Sequence, residues 1–177
     1  MKKCKITDLI IFIAATELIG VLSGIITGAS FSAYNELARP PLSPPSGVFP
    51  VVWAILYALM GVSAYLIYCS DAEDFEKKKA LTVYVIQLLF NFSWSIVFFR
   101  FGSVAGALAI AVILLGLILY MFSVFRKINP TAAYINIPYI IWTAFAVYLT
   151  LGTLILNWFK QYHFHFTAQK QNVKKML

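Results

Sequence analysis

Five stretches, residues 9–27, 48–68, 80–99, 104–125 and 132–159, are almost wholly apolar, and Glu17 is the only charged residue inside any of them. At 1.5 Å per residue, about twenty helical residues cross a hydrocarbon core roughly 30 Å thick. Backbone polar groups cannot stay unpaired in lipid, so such runs must be helices or strands of a closed barrel. Their continuous apolarity, without period-two alternation, excludes the barrel. The sequence therefore predicts an all-α, single-domain membrane bundle of five transmembrane helices, with a polar tail over residues 160–177.

Composition closes off the soluble alternative. The chain is 61% hydrophobic and 12% charged, with a mean hydropathy of +0.82, whereas a soluble domain carries about a quarter charged residues. The formal net charge of +7 does not point to nucleic acid, because the basic residues sit in short flanks between apolar runs and form no stripe. They read as topology signals. Lys2, Lys3, Lys5, Lys77, Lys78, Lys79, Arg126 and Lys127 would share one face, against Arg39, Arg100 and Lys160 near the other. That distribution favours an N-terminus on the inside of a cell membrane, although Lys170, Lys174 and Lys175 in the tail pull the other way.

The first run follows three lysines, as a signal peptide would, but it is too long and lacks a convincing small-residue cleavage site, so it reads as a retained helix. Cys4 and Cys69 are isolated in sequence and indicate neither a disulfide framework nor a metal site. His163 and His165 have no acidic or thiol companion nearby and read as a surface segment. No GxSxG, Walker-type loop, HExxH or paired-carboxylate arrangement is present, which argues against conventional hydrolase or phosphotransfer chemistry.

Chemistry could sit at one end of the bundle. The segment Arg39-Pro40-Pro41-Leu42-Ser43-Pro44-Pro45 cannot be helical throughout, and with Tyr34, Asn35 and Glu36 before it, it could cap a pocket. Helical spacing puts Trp53 with Tyr57, Gln87 with Asn91 and Trp94, and Pro138 with Trp142 and Ala146 on shared faces of three spans. Aromatic rings with a few amides suit a large, flat, mostly apolar ligand. Each such residue alone also fits simple packing or an interfacial belt. Glu17, near the middle of the first span, has to be neutral, hydrogen-bonded or facing water. Gly20, Gly24 and Gly28 form a doubled GxxxG pattern, open to packing within the chain or to dimerisation.

Four segments together resemble the TspO/MBR family, also called the translocator-protein or peripheral-type benzodiazepine receptor family. They are Tyr34-Asn35-Glu36-Leu37-Ala38-Arg39-Pro40 leading to Pro44-Pro45; Val48-Phe49-Pro50-Val51-Val52-Trp53 with Tyr57; Gln87 to Trp94 with Phe98-Phe99; and Pro138 to Ala146. The resemblance runs from about residue 9 to 157 and is to bacterial-type members.

It implies a five-helix bundle, commonly a homodimer, with a pocket beneath the first loop that accepts porphyrins such as protoporphyrin IX and benzodiazepine-site ligands. No cofactor is implied beyond that ligand. By resemblance, Tyr34, Pro44, Trp53, Asn91, Trp94, Trp142 and Ala146 are pocket residues, with Phe49 and Tyr57 as weaker additions. The family also suggests an alternative, oxidative porphyrin breakdown, in which Trp53 and Trp142 would be the reactive groups; a dimeric scaffold or regulator is a third reading. Ala33, Arg39 and Leu42 depart from common family residues in the loop. The cholesterol motif of animal members lacks its basic residue after Tyr148, so tight sterol binding is not expected.

Overall fold

The computed structural model describes residues 4–27 and 37–176, with side chains as far as residue 158. The elements are α1 (Ile6–Thr27), α2 (Val48–Tyr68), α3 (Asp74–Ser95) running on into a π turn (Ile96–Arg100), α4 (Val104–Ile128), the short α5 (Pro130–Tyr134) and α6 (Ile137–Met176). Among the described residues, five helical stretches, Ile6–Thr27, Val48–Tyr68, Asp74–Arg100, Val104–Ile128 and Pro130–Trp158, are long and apolar enough to cross a membrane. The protein is a multi-pass integral membrane protein with an all-α fold.

Two boundaries differ from the sequence expectation for identifiable reasons. The third helix begins at Asp74 rather than at residue 80: the charge run that reads as a loop is its first turns. Asp74 and Glu76 occupy the first turn, where acidic groups complement the helix dipole, and Lys77 pairs with Asp74 at 3.0 Å. The fifth span is not one helix. Asn129 caps α5 by accepting from the Ala132 N–H at 3.2 Å, with Pro130 in the first turn, and the chain turns at Ile135 and Asn136 before α6. The backbone of α6 then continues through the stretch expected to be a polar tail.

Around the bundle, α1 packs on α2, α3 on α4 and α4 on α6, while α1 and α2 both reach α3. Gly61 allows α1 and α2 to touch backbone to backbone, since a Cβ there would lie 2.7 Å from Ile13 Cα. The core runs through Leu56, Met60, Ala64 and Ile67 of α2, Leu88 of α3, Ile118, Met121 and Phe125 of α4, and Tyr139 of α6. Outward residues such as Ile10, Leu18, Val51, Leu89, Val112 and Ile141 are exposed and apolar, as lipid contact requires. Asn136 donates to Ser63 Oγ at 2.6 Å, and Ser63 donates to the Ala132 carbonyl at 2.6 Å, joining α2 to the start of the fifth span.

Cys4 and Cys69 are joined by a disulfide across 65 positions of sequence. Sequence spacing gave no hint of it, because the pairing is made by topology. An antiparallel α1–α2 hairpin returns residue 69 to the level of residue 4, with Cα atoms 5.9 Å apart, well within disulfide reach.

At the opposite face, the first loop is strapped to α6. Asn157 holds both backbone polar groups of Ala38, accepting from its N–H at 3.1 Å and donating to its carbonyl at 2.9 Å. Tyr148 donates to the Pro41 carbonyl at 3.0 Å. Pro40 lies on Gly152, where a Cβ would come within 2.6 Å of the ring.

Candidate functional site

A cavity of about 460 Å³ opens between α1, α2 and the end of the third span, toward the strapped-loop face. From α1 come Glu17, Gly20, Val21 and Gly24, which recur every three or four residues and so share a face. From α2 come Pro50, Trp53, Ala54 and Tyr57, preceded by Phe49. From the third span come Trp94, Ser95 and Phe99. The two glycines have different jobs. Gly20 makes room for the Tyr57 ring, which would collide with any added Cβ, whereas a Cβ on Gly24 would meet nothing within 4 Å. Gly24 is an exposed residue at the cavity's edge, where a side chain would enter open space.

The π turn builds the third wall. It closes with the Phe101 N–H on the Ile96 carbonyl at 3.2 Å, five residues back, and its wider turn brings both Phe98 and Phe99 beside Trp94. Phe98 stacks on Trp94 with ring centroids 5.4 Å apart, and Phe99 meets it edge-on at 6.1 Å. The Trp94 indole N–H is buried without a hydrogen-bond partner among the described residues.

Of the residues read from sequence, Phe49, Trp53, Tyr57 and Trp94 line this cavity. Trp53 packs against Tyr57 and Tyr139, with centroids 5.6 Å and 6.1 Å away. Ala146 lies elsewhere, in a void of about 20 Å³ bounded by Phe49, Trp94, Phe98 and Leu149. Trp142 meets Phe49 edge-on at 6.0 Å, on the α6 side of that ring. Pro44 belongs to the loop and lines neither space. Tyr34 lies outside the described residues.

Asn91 is placed differently from the sequence expectation of a ligand contact. It is 1% exposed and sits behind Tyr57. Tyr57 donates to Asn91 Oδ1 at 2.6 Å, Asn91 Nδ2 donates to Tyr139 Oη at 3.0 Å, and Tyr139 donates to Gln87 Oε1 at 2.8 Å. A parallel tie joins Thr16 of α1 to Tyr84 of α3 at 2.6 Å. The amides thus fix the aromatic wall from the core side. Spacing picked the faces of the second and third spans that meet the cavity, but it could not say which members look into it, and the fifth-span face of Trp142 and Ala146 lies outside it. The contribution of α1 was the weakest sequence signal, because glycines shape a cavity by what they omit.

Fold and site together define a class: five-span membrane proteins with an aromatic-walled cavity inside the helix bundle. The family model described as "TspO/MBR family" matches residues 12–156, and the chain belongs to the TspO/MBR family. It is 32% identical over 125 residues to the tryptophan-rich protein TspO of Chlorobaculum tepidum, covering 70% of this chain and 78% of that one. Similarity to the translocator protein homolog of Schizosaccharomyces pombe is 31% over 148 residues, covering 81% and 90%. The tryptophan-rich sensory protein of Cereibacter sphaeroides is 33% identical over 125 residues, covering 71% and 77%.

Proposed function

We propose that this protein binds a flat, largely apolar ligand of the tetrapyrrole class, such as protoporphyrin IX, within the membrane, and that benzodiazepine-site ligands enter the same space. The observation that carries the reading is the cavity of about 460 Å³ walled by Phe49, Trp53, Tyr57, Trp94 and Phe99. Its size falls within the range of roughly 300–1,000 Å³ for small-molecule sites, which combine apolar walls with sparse polar groups. Ring faces supply affinity. Asn91, committed on both sides, acts by holding Tyr57 rather than by touching ligand.

Gly24→Leu tests this reading, because a Cβ at Gly24 enters open space beside the cavity. Tryptophan-fluorescence titration with protoporphyrin IX, corrected for inner-filter absorbance, is expected to saturate for the native protein and to weaken at least about tenfold, or 1.4 kcal/mol, for Gly24→Leu. An unchanged titration in a folded Gly24→Leu protein would place the ligand elsewhere.

A second reading, photo-oxidative breakdown of the porphyrin, is favoured by one feature: Trp53 touches both the cavity and two tyrosines. Trp53→Phe should then abolish any light-dependent loss of bound-porphyrin absorbance while Trp142→Phe spares it. Loss that proceeds equally without protein is photobleaching and removes the reading. A homodimer remains part of the proposal.

A further inference from the structure

Among the described residues that line the cavity, one is a carboxylic acid, Glu17, which tetrapyrrole binding leaves without a role. Glu17 is the twelfth residue of the 22-residue α1, at mid-membrane depth, and lines the cavity. Its carboxyl lies near the Ala58 peptide, and no described lysine or arginine pairs with it. The Tyr57 hydroxyl is turned away to donate to Asn91, and the Thr27 hydroxyl donates to the Ser23 carbonyl at 2.9 Å. No basic residue is among the described residues lining the cavity. A carboxylate at this depth is costly unless a partner meets it, and such groups mark binding or transport sites.

The aromatic wall has the matching property. Faces of Trp, Tyr and Phe attract a cation within about 6 Å of the ring centre, and Trp53 and Tyr57 lie on the helix directly facing Glu17 across the α1–α2 contact. A ligand carboxylate would gain nothing here, whereas an ammonium group would gain both the opposite charge and the ring faces. We propose that Glu17 makes the cavity a site for lipophilic aromatic amines, with the ring system against the aromatic wall and the protonated nitrogen at Glu17. The proposal rests on the cavity being a ligand site, not on the ligand being a tetrapyrrole.

The test uses three dansyl sulfonamides alike except that the arm ends in a primary amine, a methyl group or a carboxylate, added to the full chain in neutral detergent. Energy transfer from tryptophan to dansyl reads binding. The native protein is expected to rank amine above methyl above carboxylate, with about tenfold between the first two; any other order overturns the proposal whatever the variants do. Glu17→Gln should remove most of the gap between the amine and methyl probes, leaving only what the ring faces supply, and Glu17→Asp should keep the preference. An amine preference undiminished by Glu17→Gln in a folded protein also overturns it. Titrating the same samples with protoporphyrin IX separates the two readings. Amine selectivity without porphyrin binding would sink the tetrapyrrole reading alone, and porphyrin binding without amine selectivity would sink this one alone.

Discussion

Gly20 and Gly24 stand one helical turn apart, yet their substitutions should fail in opposite ways. Alanine at Gly20 drives a methyl into the Tyr57 ring, and overpacking of a filled interior costs about 1–3 kcal/mol. Gly20→Ala should therefore lower the thermal midpoint in detergent, while Gly24→Leu leaves the midpoint unchanged and loses ligand. Asn91 gives the complementary case. Asn91→Ala strands the Tyr57 hydroxyl as a donor and removes a donor to Tyr139, in a site where each unpaired buried polar group costs about 1–3 kcal/mol. The expected outcome is a clear loss of stability, with weaker porphyrin binding only in proportion to the freedom Tyr57 gains. If Asn91→Ala instead abolishes binding at an unchanged midpoint, Asn91 touches ligand after all. The sequence showed that Gln87, Asn91 and Trp94 share a face. It could not show that Tyr139, two spans later, would claim the amides and leave Trp94 alone beside the cavity.

At the scale of elements, hydropathy marked the spans well because lipid imposes one rule on every residue in them. It was less informative at their ends, where water relaxes that rule. Asp74–Lys79 reads as a charged loop but forms the first turns of α3, and the π turn Ile96–Arg100 has no hydropathy signature at all, although it sets Phe99 into the cavity wall. The first loop was legible as non-helical from its prolines; its attachment to α6 was not. Gly152 and Asn157 acquire meaning only when the loop lies on them. The Asn157 clamp on Ala38 is the polar part of that attachment. Asn157→Leu should release it, and hydrogen exchange at the Ala38 amide should accelerate by about tenfold for each 1.4 kcal/mol of local stability lost. Leu42 offers a milder test in the same loop. It is 81% exposed with φ +67°, a left-handed conformation costing a non-glycine residue roughly 1–2 kcal/mol. Leu42→Gly is expected to hold or raise the thermal midpoint.

For the whole molecule, two signals on one face make opposing demands. The disulfide lies at the end of the bundle that also carries Lys5, Lys77, Lys78, Lys79, Arg126 and Lys127, whereas Arg39 and Arg100 mark the other end. The excess of basic residues favours the inside of the membrane for the first face, but disulfides persist in oxidising compartments and are rare in the cytosol. Both hold if the N-terminus is inside and the pair is a dithiol in growing cells, closing to the bond when the protein meets oxidant. A membrane-impermeant maleimide should then leave Cys4 and Cys69 unlabelled in intact cells, with or without prior reduction, and label both in permeabilised cells without any reductant. Labelling of intact cells only after reduction would put this face outside and make the bond permanent, and the charge-based orientation would fall. The bond joins α1 to α2, the two helices that carry Glu17, Gly24, Trp53 and Tyr57. A tie at one end of that hairpin limits how far its cavity walls can part at the other, so protoporphyrin IX should dissociate faster from the reduced protein than from the oxidised one.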